Sequence, residues 1–249
     1  MTAVNPTQPG LIADIGGTNV RFALCTPGSD PYSPMTLHCA DHANLVDAAR
    51  AYLKHAATAV LPKTGAFAVA SPVSGDMVTM TNHPWRFSIE ATRKELGLDS
   101  LRVVNDFVAI ALCVPRLTAA HRIRIGAGLP AREAPIGVLG PGTGLGVGLL
   151  VPFEGRWHAV PTEGGHVTMP AFDDEESEII SILRRRFGHA SAERLRSGPG
   201  LVNLYQAIGA LDDEEPPPLD PALITERALS GSDRLSVKTL RTFLAMLGT

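Results

Sequence analysis

A carboxylate, two glycines and a threonine occupy the turn between two short apolar segments near the start of the chain. The stretch LIADIGGTNVRFAL contains Asp14, Gly16, Gly17 and Thr18. Glycines let backbone N–H groups approach an anion because no Cβ intervenes, and the threonine adds a hydroxyl donor. Asp14 could hold a divalent cation, directly or through water, that bridges two phosphates. The pattern favours a phosphate-binding turn over an ordinary tight hairpin with a capping aspartate.

A second glycine-rich stretch, GPGTGLGVG, repeats this arrangement at Gly142, Thr143 and Gly144. By itself it is explained equally well as a strand that packs closely against a neighbour. Together with the first turn, it predicts the second half of a nucleotide clamp. The chain contains neither the G-x-x-x-x-G-K-[ST] phosphate loop nor the G-x-G-x-x-G dinucleotide motif.

The stretch VVNDF ends a predicted strand with an amide and a carboxylate, Asn105 and Asp106. Ligands of α/β sheets bind at the carboxyl ends of strands, where a carboxylate could accept the proton of an attacking hydroxyl group. The alternative is that Asp106 caps the helix that follows, and from these two residues alone the capping role is the more common one.

Two further stretches contain polar groups that suit sugar hydroxyls. In PTEGGHVTMP, Glu163 and His166 flank a Gly-Gly bend, which is compatible with hydroxyl recognition, with a surface turn or, less favourably, with zinc. In ASAERLRSGPGLVNLY, Glu193 is predicted to lie inside a helix that ends at 197–199. A glutamate in the middle of a helix is usually only solvated, so spacing alone does not select it.

The alternation of predicted strands and helices indicates an α/β fold with a mixed sheet. We expect one hairpin over Leu11–Ile15 and Val20–Thr26 and another over Ile136–Leu139 and Gly144–Val151. Further predicted elements are a strand at Leu101–Val104 and helices at Asn44–Leu61, Ser88–Leu96, Glu175–Phe187, Pro221–Leu229 and Leu235–Leu247. A loop rich in Ala, Arg and Gly after Arg116 predicts two domains, 1–116 and 117–249.

Composition excludes several functional classes. The 249 residues have a net charge of −3 and 5% aromatic residues, which argues against a nucleic-acid partner. No apolar run is long enough to span a bilayer, and the polar segment 1–10 does not resemble a signal peptide. Three separated cysteines indicate neither a disulfide framework nor a zinc site, so a cytoplasmic location is expected.

Taken together, the motifs resemble those of the bacterial glucokinases, which are hexokinase-type sugar kinases with a two-domain, actin-like ATPase (ribonuclease H-like) fold. The resemblance runs from Leu11 to about Leu247. Six stretches occur in the order and approximate spacing of that family: LIADIGGTNVRFAL, MTNHPWRFS, VVNDF, GPGTGLGVGLLV, EGGHVTMP and HASAERLRSGPGLVNLY.

The resemblance implies a role for each candidate residue. Asp106 corresponds to the catalytic base that takes the proton from the sugar 6-hydroxyl. The residues that correspond to ligands of the other hydroxyls are Asn105, Glu163, His166 and Glu193. The first phosphate turn corresponds to Ala13, Asp14, Ile15, Gly16, Gly17 and Thr18, and the second to Gly142, Thr143 and Gly144. Asp14 also corresponds to the carboxylate near Mg²⁺.

The implied activity is ATP-dependent phosphorylation of glucose to glucose 6-phosphate, with ATP and Mg²⁺ as cofactors and in-line transfer to the 6-hydroxyl. The alternative is a non-catalytic or partner-dependent glucose-binding protein on the same scaffold. The family likeness also implies a homodimer. The sequence leaves open the choice among glucose, mannose and glucosamine, and between ATP and another phosphoryl donor.

Chains of the resembled family continue beyond the point where this sequence stops, at 247–249, into a segment that holds adenosine. The sequence therefore predicts a C-terminally truncated chain. We expect a fragment of a longer protein, or a split gene whose companion chain supplies the rest, ahead of a shortened sugar-binding module. On this expectation, the chain alone turns over ATP poorly.

Overall fold

The computed structural model describes residues 8–58, 60–131 and 133–248, and the chain divides into two compact units. The first unit ends at Ile123 and the second begins at Arg124, whereas the sequence analysis placed the division after Arg116. Both units combine helices with strands, which confirms the α/β class. Across the described ranges, every helix is too short or too polar to cross a membrane.

Within its described residues, the first unit is built on a five-stranded mixed sheet in the order β3-β2-β1-β4-β7. These strands are β1 (Gly10–Ile15), β2 (Asn19–Cys25), β3 (Tyr32–His38), β4 (Thr64–Val69) and β7 (Ser100–Asn105). The predicted hairpin is confirmed, since β1 pairs with β2 in antiparallel register. Strand β3 was not predicted because it is largely exposed and contains Pro34, which an edge strand tolerates.

The parallel strands β1, β4 and β7 end at the same level. Ile15 lies opposite Val69, and Val69 lies opposite Asn105. The turn after β1, the loop after β4 and the helix after β7 therefore all begin at one edge of the sheet. This is the edge at which α/β sheets place ligands.

The described residues of the first unit also contain three α-helices and a small hairpin: α1 (Leu45–Ala56), β5 (Met77–Thr79), β6 (Arg86–Ser88), α2 (Ile89–Glu95) and α3 (Asp106–Cys113). The side chains of Asn44 and Ser88 cap α1 and α2 by accepting backbone N–H groups. The prediction that α1 reaches Leu61 was wrong, because Ala57 adopts a left-handed conformation and ends the helix.

The core of the first unit centres on three fully buried aromatic side chains. The rings of Phe22 and Tyr52 stack with centroids 5.3 Å apart, and Phe67 meets Phe22 edge-on at 6.3 Å. The Tyr52 hydroxyl donates to the Ser33 carbonyl at 2.9 Å, so its polar end is satisfied. Burial of each such side chain contributes roughly 1.5–3 kcal/mol. This core fixes α1 against the sheet behind the ligand-binding edge.

Within its described residues, the second unit begins with a three-stranded antiparallel sheet in the order β10-β9-β8. The strands are β8 (Ile136–Pro141), β9 (Leu145–Phe153) and β10 (Arg156–Pro161). The predicted β8–β9 hairpin is confirmed. Strand β10 was not predicted, although Glu154 and Gly155 both have positive φ, as a two-residue hairpin turn requires.

Helices form the rest of the second unit: α4 (Asp174–Phe187), α5 (Ala192–Leu195), α6 (Gly198–Leu211), α7 (Pro221–Ser230) and α8 (Arg234–Gly248). The sequence analysis was wrong about the segment around Glu193. This residue lies in the single turn of α5, and 197–199 begins a helix instead of ending one. The Ser197 hydroxyl accepts the Gly200 N–H at 3.0 Å, and Pro199 fits the first turn, where its missing N–H costs nothing.

A substitution at Gly200 tests how closely α5 packs against α6. A Cβ at this position would lie 2.6 Å from the carbonyl carbon of Leu195. Helix propensity alone predicts that Gly200→Ala stabilises the protein by up to about 1 kcal/mol. We expect the opposite sign, a loss of about 1–3 kcal/mol in the free energy of unfolding measured by urea denaturation, because the added methyl group overpacks the junction. The control Gly137→Ala adds a methyl group in open space on β8 and is expected to be nearly neutral.

Candidate active site

The turn after β1 leaves hydrogen-bond donors available. The Gly16 N–H donates to the Asn19 carbonyl at 2.9 Å. Within the described part of the chain, no acceptor is found for the N–H groups of Gly17 and Thr18 or for the Thr18 hydroxyl. These three donors can therefore bind an anion, as a phosphate turn requires.

Gly17 is required by a close approach and not by an unusual backbone conformation. A Cβ on Gly17 would lie 2.8 Å from the backbone oxygen of Asn82 and 2.9 Å from its Cβ. Asn82 belongs to the loop that joins β5 to β6, which is closed by the Met80 N–H donating to the Trp85 carbonyl at 3.1 Å. The loop between β5 and β6 therefore packs directly against the turn after β1.

Asp14 lies on β1 directly opposite Arg21 of β2. The Arg21 guanidinium donates to Asp14 Oδ2 at 2.8 Å, and both side chains are more than half exposed. An exposed pair of this kind contributes little to stability. The pair holds the carboxylate in place beside the turn while its other oxygen stays open to solvent.

Asn105 and Asp106 stand at the junction of β7 and α3. The Phe107 N–H donates to Asn105 Oδ1 and to Asp106 Oδ1, each at 2.9 Å. Asn105 therefore takes the capping role that the sequence left open for Asp106, and Asp106 lies in the first turn of α3. Its half-buried carboxylate is placed next to the helix N-terminus, where negative charge is favoured.

Burial raises the pKa of the Asp106 carboxyl above its ordinary value, and the nearby charge of Asp14 raises the pKa further. The hydrogen bonds from Phe107 and Asn105 oppose this increase without cancelling it. A carboxylate with a raised pKa is a stronger base, which suits proton abstraction. The influence of Asp14 follows from the register that ends β1 and β7 at one edge.

Ser71 links the loop after β4 to the same edge, and the sequence analysis did not single it out. Its buried hydroxyl accepts the Thr81 N–H at 2.8 Å and donates to the Ala70 carbonyl at 2.7 Å. Its own carbonyl accepts from the Asn105 side-chain amide at 3.4 Å. Ser71 therefore helps to orient both Asn105 and the loop that carries Asn82.

The second turn has the same free donors as the first. The Gly142 N–H donates to the Gly144 carbonyl, and the Gly142 carbonyl accepts the Gly198 N–H at 2.8 Å. Among the residues that the structure describes, the N–H groups of Thr143 and Gly144 and the Thr143 hydroxyl have no acceptor. The start of α6 thus holds the turn in place while its tip stays open.

Glu193 contacts the second turn directly. Its Oε2 accepts the Leu145 N–H at 2.9 Å, and a Cβ on Gly144 would lie 2.5 Å from the same oxygen. A methyl group at position 144 would therefore displace the Glu193 carboxylate from its present place. The second turn and Glu193, a candidate sugar ligand, are therefore in direct contact.

His166 lies between the two glutamates of the second unit. Its Nδ1 is 4.0 Å from Glu193 Oε1, and its Nε2 is 3.7 Å from Glu163 Oε2. The Gly-Gly bend packs closely on β9, because a Cβ on Gly165 would meet the Leu145 carbonyl and one on Gly164 would meet Val147. The structure thus brings together all three residues predicted in this unit, and they are too far apart for direct hydrogen bonds, as a site that receives hydroxyls requires.

A cleft of about 310 Å³ opens beside these residues. Its lining comes from the second turn, the Gly-Gly bend, the end of α4 and the starts of α5 and α6: Thr143, His166, Phe187, His189, Ser191, Glu193, Arg194, Ser197, Pro199 and Asn203. The cleft therefore joins a phosphate-type turn to candidate sugar ligands.

The sequence profile of the glucokinase family matches residues 11–249. A glucokinase from Paramagnetospirillum magneticum is 50% identical over 244 residues, which cover 98% of this chain and 76% of that protein. The chain belongs to the glucokinase family. The predicted family resemblance is thereby confirmed.

Solved structures agree on the fold. A glucokinase from an Antarctic psychrotroph superposes with a TM-score of 0.87 at 34% identity, over 97% of this chain and 76% of that one. A ROK family glucokinase from Streptomyces griseus, solved with glucose and AMPPNP, gives a TM-score of 0.61 at 19% identity, over 96% and 77% of the two chains. The actin-like ATPase fold expected of this family member is confirmed.

Because the pKa of Asp106 is raised, the free energy of unfolding of the protein is expected to depend on pH. The folded state binds the Asp106 carboxyl proton more tightly than the unfolded state does. Ionisation of Asp106 therefore destabilises the fold as the pH rises from the ordinary pKa of an aspartate toward the raised pKa of Asp106. We expect Asp106→Asn to unfold at higher urea concentration than the wild type at pH 7, with a gap that narrows toward pH 4. Asp30→Asn, at an exposed turn, controls for the loss of one charge. A gap that is absent at pH 7 or independent of pH would contradict the assignment.

Gly144 gives a second test. Gly144→Ala places a methyl group against Glu193 Oε2 and should break its hydrogen bond with the Leu145 N–H. We expect hydrogen exchange of the Leu145 amide, followed by NMR, to accelerate about tenfold or more. Gly142→Ala is the matched control in the same turn, since a Cβ there meets nothing within 4 Å. Equal protection of Leu145 in both variants would contradict the contact.

Proposed function

We propose that this glucokinase-family chain transfers the γ-phosphoryl group of ATP to the 6-hydroxyl of glucose. The observation that carries the proposal is the edge of the first sheet, where Asp106 and the free donors of the 16–18 turn meet through one strand register. Phosphoryl transfer needs a base that accepts the proton of the attacking hydroxyl and hydrogen-bond donors that bind the phosphates. Family membership at 50% identity supports glucose and ATP as the substrates.

In this proposal, Asp106 accepts the proton of the 6-hydroxyl as the oxygen attacks phosphorus. Its raised pKa makes it a suitable acceptor, and capping by Asn105 fixes the backbone from which it projects. Asn105 has an amide that can donate to a neighbouring sugar hydroxyl. The departing ADP oxygen lies opposite the attacking oxygen in an in-line transfer.

The second unit would recognise the other hydroxyls. Glu163 and Glu193 supply acceptors, and His166 supplies a ring nitrogen that can donate or accept. A neutral polyol needs such groups, whereas a charged substrate would need an opposing charge. Glu193 is already oriented by the Leu145 N–H, so one of its oxygens is held while the other faces His166.

The two turns would hold the phosphates through their free N–H groups and threonine hydroxyls. A carboxylate beside a phosphate turn fits Mg²⁺, because this ion is usually held by one or two carboxylates, waters and substrate phosphates. Asp14, with one oxygen on Arg21 and the other open, is the residue that would hold it, directly or through water. When bound, Mg²⁺ neutralises phosphate charge. A cytoplasmic location and a homodimer stay predictions.

Replacement of Asp106 tests the proposal. We expect Asp106→Ala to lower kcat by roughly 10²–10⁴-fold, the usual contribution of a general base. Glucose affinity, measured by calorimetry, should change far less than kcat, because the hydroxyl ligands of the second unit remain. Asp30→Ala, which removes an exposed aspartate, should leave both quantities unchanged. Full turnover by Asp106→Ala, or glucose binding by the wild type without turnover, would contradict the proposal.

A further inference from the structure

We propose that Arg194 is an anion-binding residue, which contacts a phosphoryl group in the cleft beside the second turn. The inference rests on the proposed function and extends it to a side chain that neither the motifs nor the family likeness assigned. Arg194 lines the cleft together with Thr143 and Glu193. Among the described residues that line it, Arg194 alone carries a permanent positive charge.

The Arg194 guanidinium is held in place by an aromatic ring. Its Cζ lies 4.2 Å from the centroid of Phe187, which also lines the cleft. Such a contact orients the planar guanidinium while its N–H groups stay available at the edges. The backbone of Arg194 is fixed as well, because its N–H donates to the Ser191 carbonyl and its carbonyl accepts from the Asn203 side chain.

This guanidinium has no internal counter-charge. Over ranges 8–58, 60–131 and 133–248, no carboxylate forms an ion pair with Arg194 and no acceptor takes a hydrogen bond from its side chain. Arg194 is exposed at this cleft, and its fork of donors suits a carboxylate or phosphate. The arrangement points to an anion supplied from outside the described residues.

The start of α6 cannot take that role. Its first available N–H groups already have acceptors, since Gly198 donates to the Gly142 carbonyl, Gly200 to the Ser197 hydroxyl, and Leu201 to the Ser197 carbonyl. Pro199 has no N–H. The first available N–H groups of α6 are therefore not free to bind an anion in this cleft.

The cleft also contains a negative charge that a phosphoryl group must tolerate. Glu193 faces the same space, and its carboxylate repels a phosphoryl group of like charge. The cation of Arg194, which lines the same cleft, offsets this repulsion. The phosphoryl group belongs either to the donor nucleotide or to the sugar phosphate product, and both present the same chemistry to a guanidinium.

Arg186 provides a matched control. It is an exposed arginine at the end of α4, and its Cζ lies 4.9 Å from the same Phe187 ring. Arg186 does not line the cleft. Arg194→Met and Arg186→Met therefore each remove one charge and one ring contact, but only the first removes a cation from the cleft.

The experiment measures dissociation constants of ATP, adenosine and glucose 6-phosphate by calorimetry for the wild type and both variants. We expect Arg194→Met to weaken ATP or glucose 6-phosphate by about tenfold or more, the usual effect of losing a charge-assisted hydrogen bond. Loss for ATP without loss for glucose 6-phosphate identifies the donor phosphates, and loss for glucose 6-phosphate alone identifies the product. Arg194→Lys, which keeps the charge without the fork, should lie between.

The inference is overturned if Arg194→Met leaves both phosphorylated ligands unchanged, if Arg186→Met causes an equal loss, or if the wild type binds neither ligand. Failure of this kind is distinguishable from failure of the proposed function. A chain that turns over glucose through Asp106 and binds ATP equally well with and without Arg194 keeps the function and loses the inference.

Discussion

The register of three parallel strands governs the first unit. Ile15, Val69 and Asn105 lie side by side, so the phosphate-type turn, the Ser71 loop and the start of α3 emerge at one level. A shift of one strand by a single residue would turn every side chain to the other face and separate Asp106 from the turn. The buried rings of Phe22 and Phe67, which lie on the same face of the sheet as Ile15 and Val69, pack with Tyr52 of α1 and stabilise this register.

The same constraint explains the chemistry of Asp106. A carboxylate on a solvated loop would have an ordinary pKa, whereas burial beside β7 and the charge of Asp14 on β1 raise it. Ionisation at this position costs stability, and such a cost is common where groups are placed for reaction instead of for folding. Asn105 and Ser71 limit the cost because they satisfy the backbone around the carboxylate.

In the second unit, close contacts at glycine residues hold the site residues together, whereas strand register does so in the first unit. Gly165 lets the Leu145 backbone come within a distance that a Cβ would block, and at Gly144 and Gly164 a Cβ would displace the side chains of Glu193 and Val147. The second turn, the Gly-Gly bend and the start of α5 consequently form one closely packed cluster. The two glycine–threonine turns are alike in sequence and in their free donors, yet Gly17 makes room for a backbone loop and Gly144 for a carboxylate.

The sequence by itself determined the α/β class, both glycine–threonine hairpins, the strand that ends at Asn105 and the family, because these depend on local periodicity, turn chemistry and motif order. It also indicated Glu163 and His166 as a pair. Only the tertiary structure decided that Glu193 contacts the second turn, that 197–199 starts α6, and that Ser71 and Asn82 support the first turn. Those facts depend on contacts between segments far apart in the chain, such as the 48 positions that separate Leu145 from Glu193, and no local pattern encodes them.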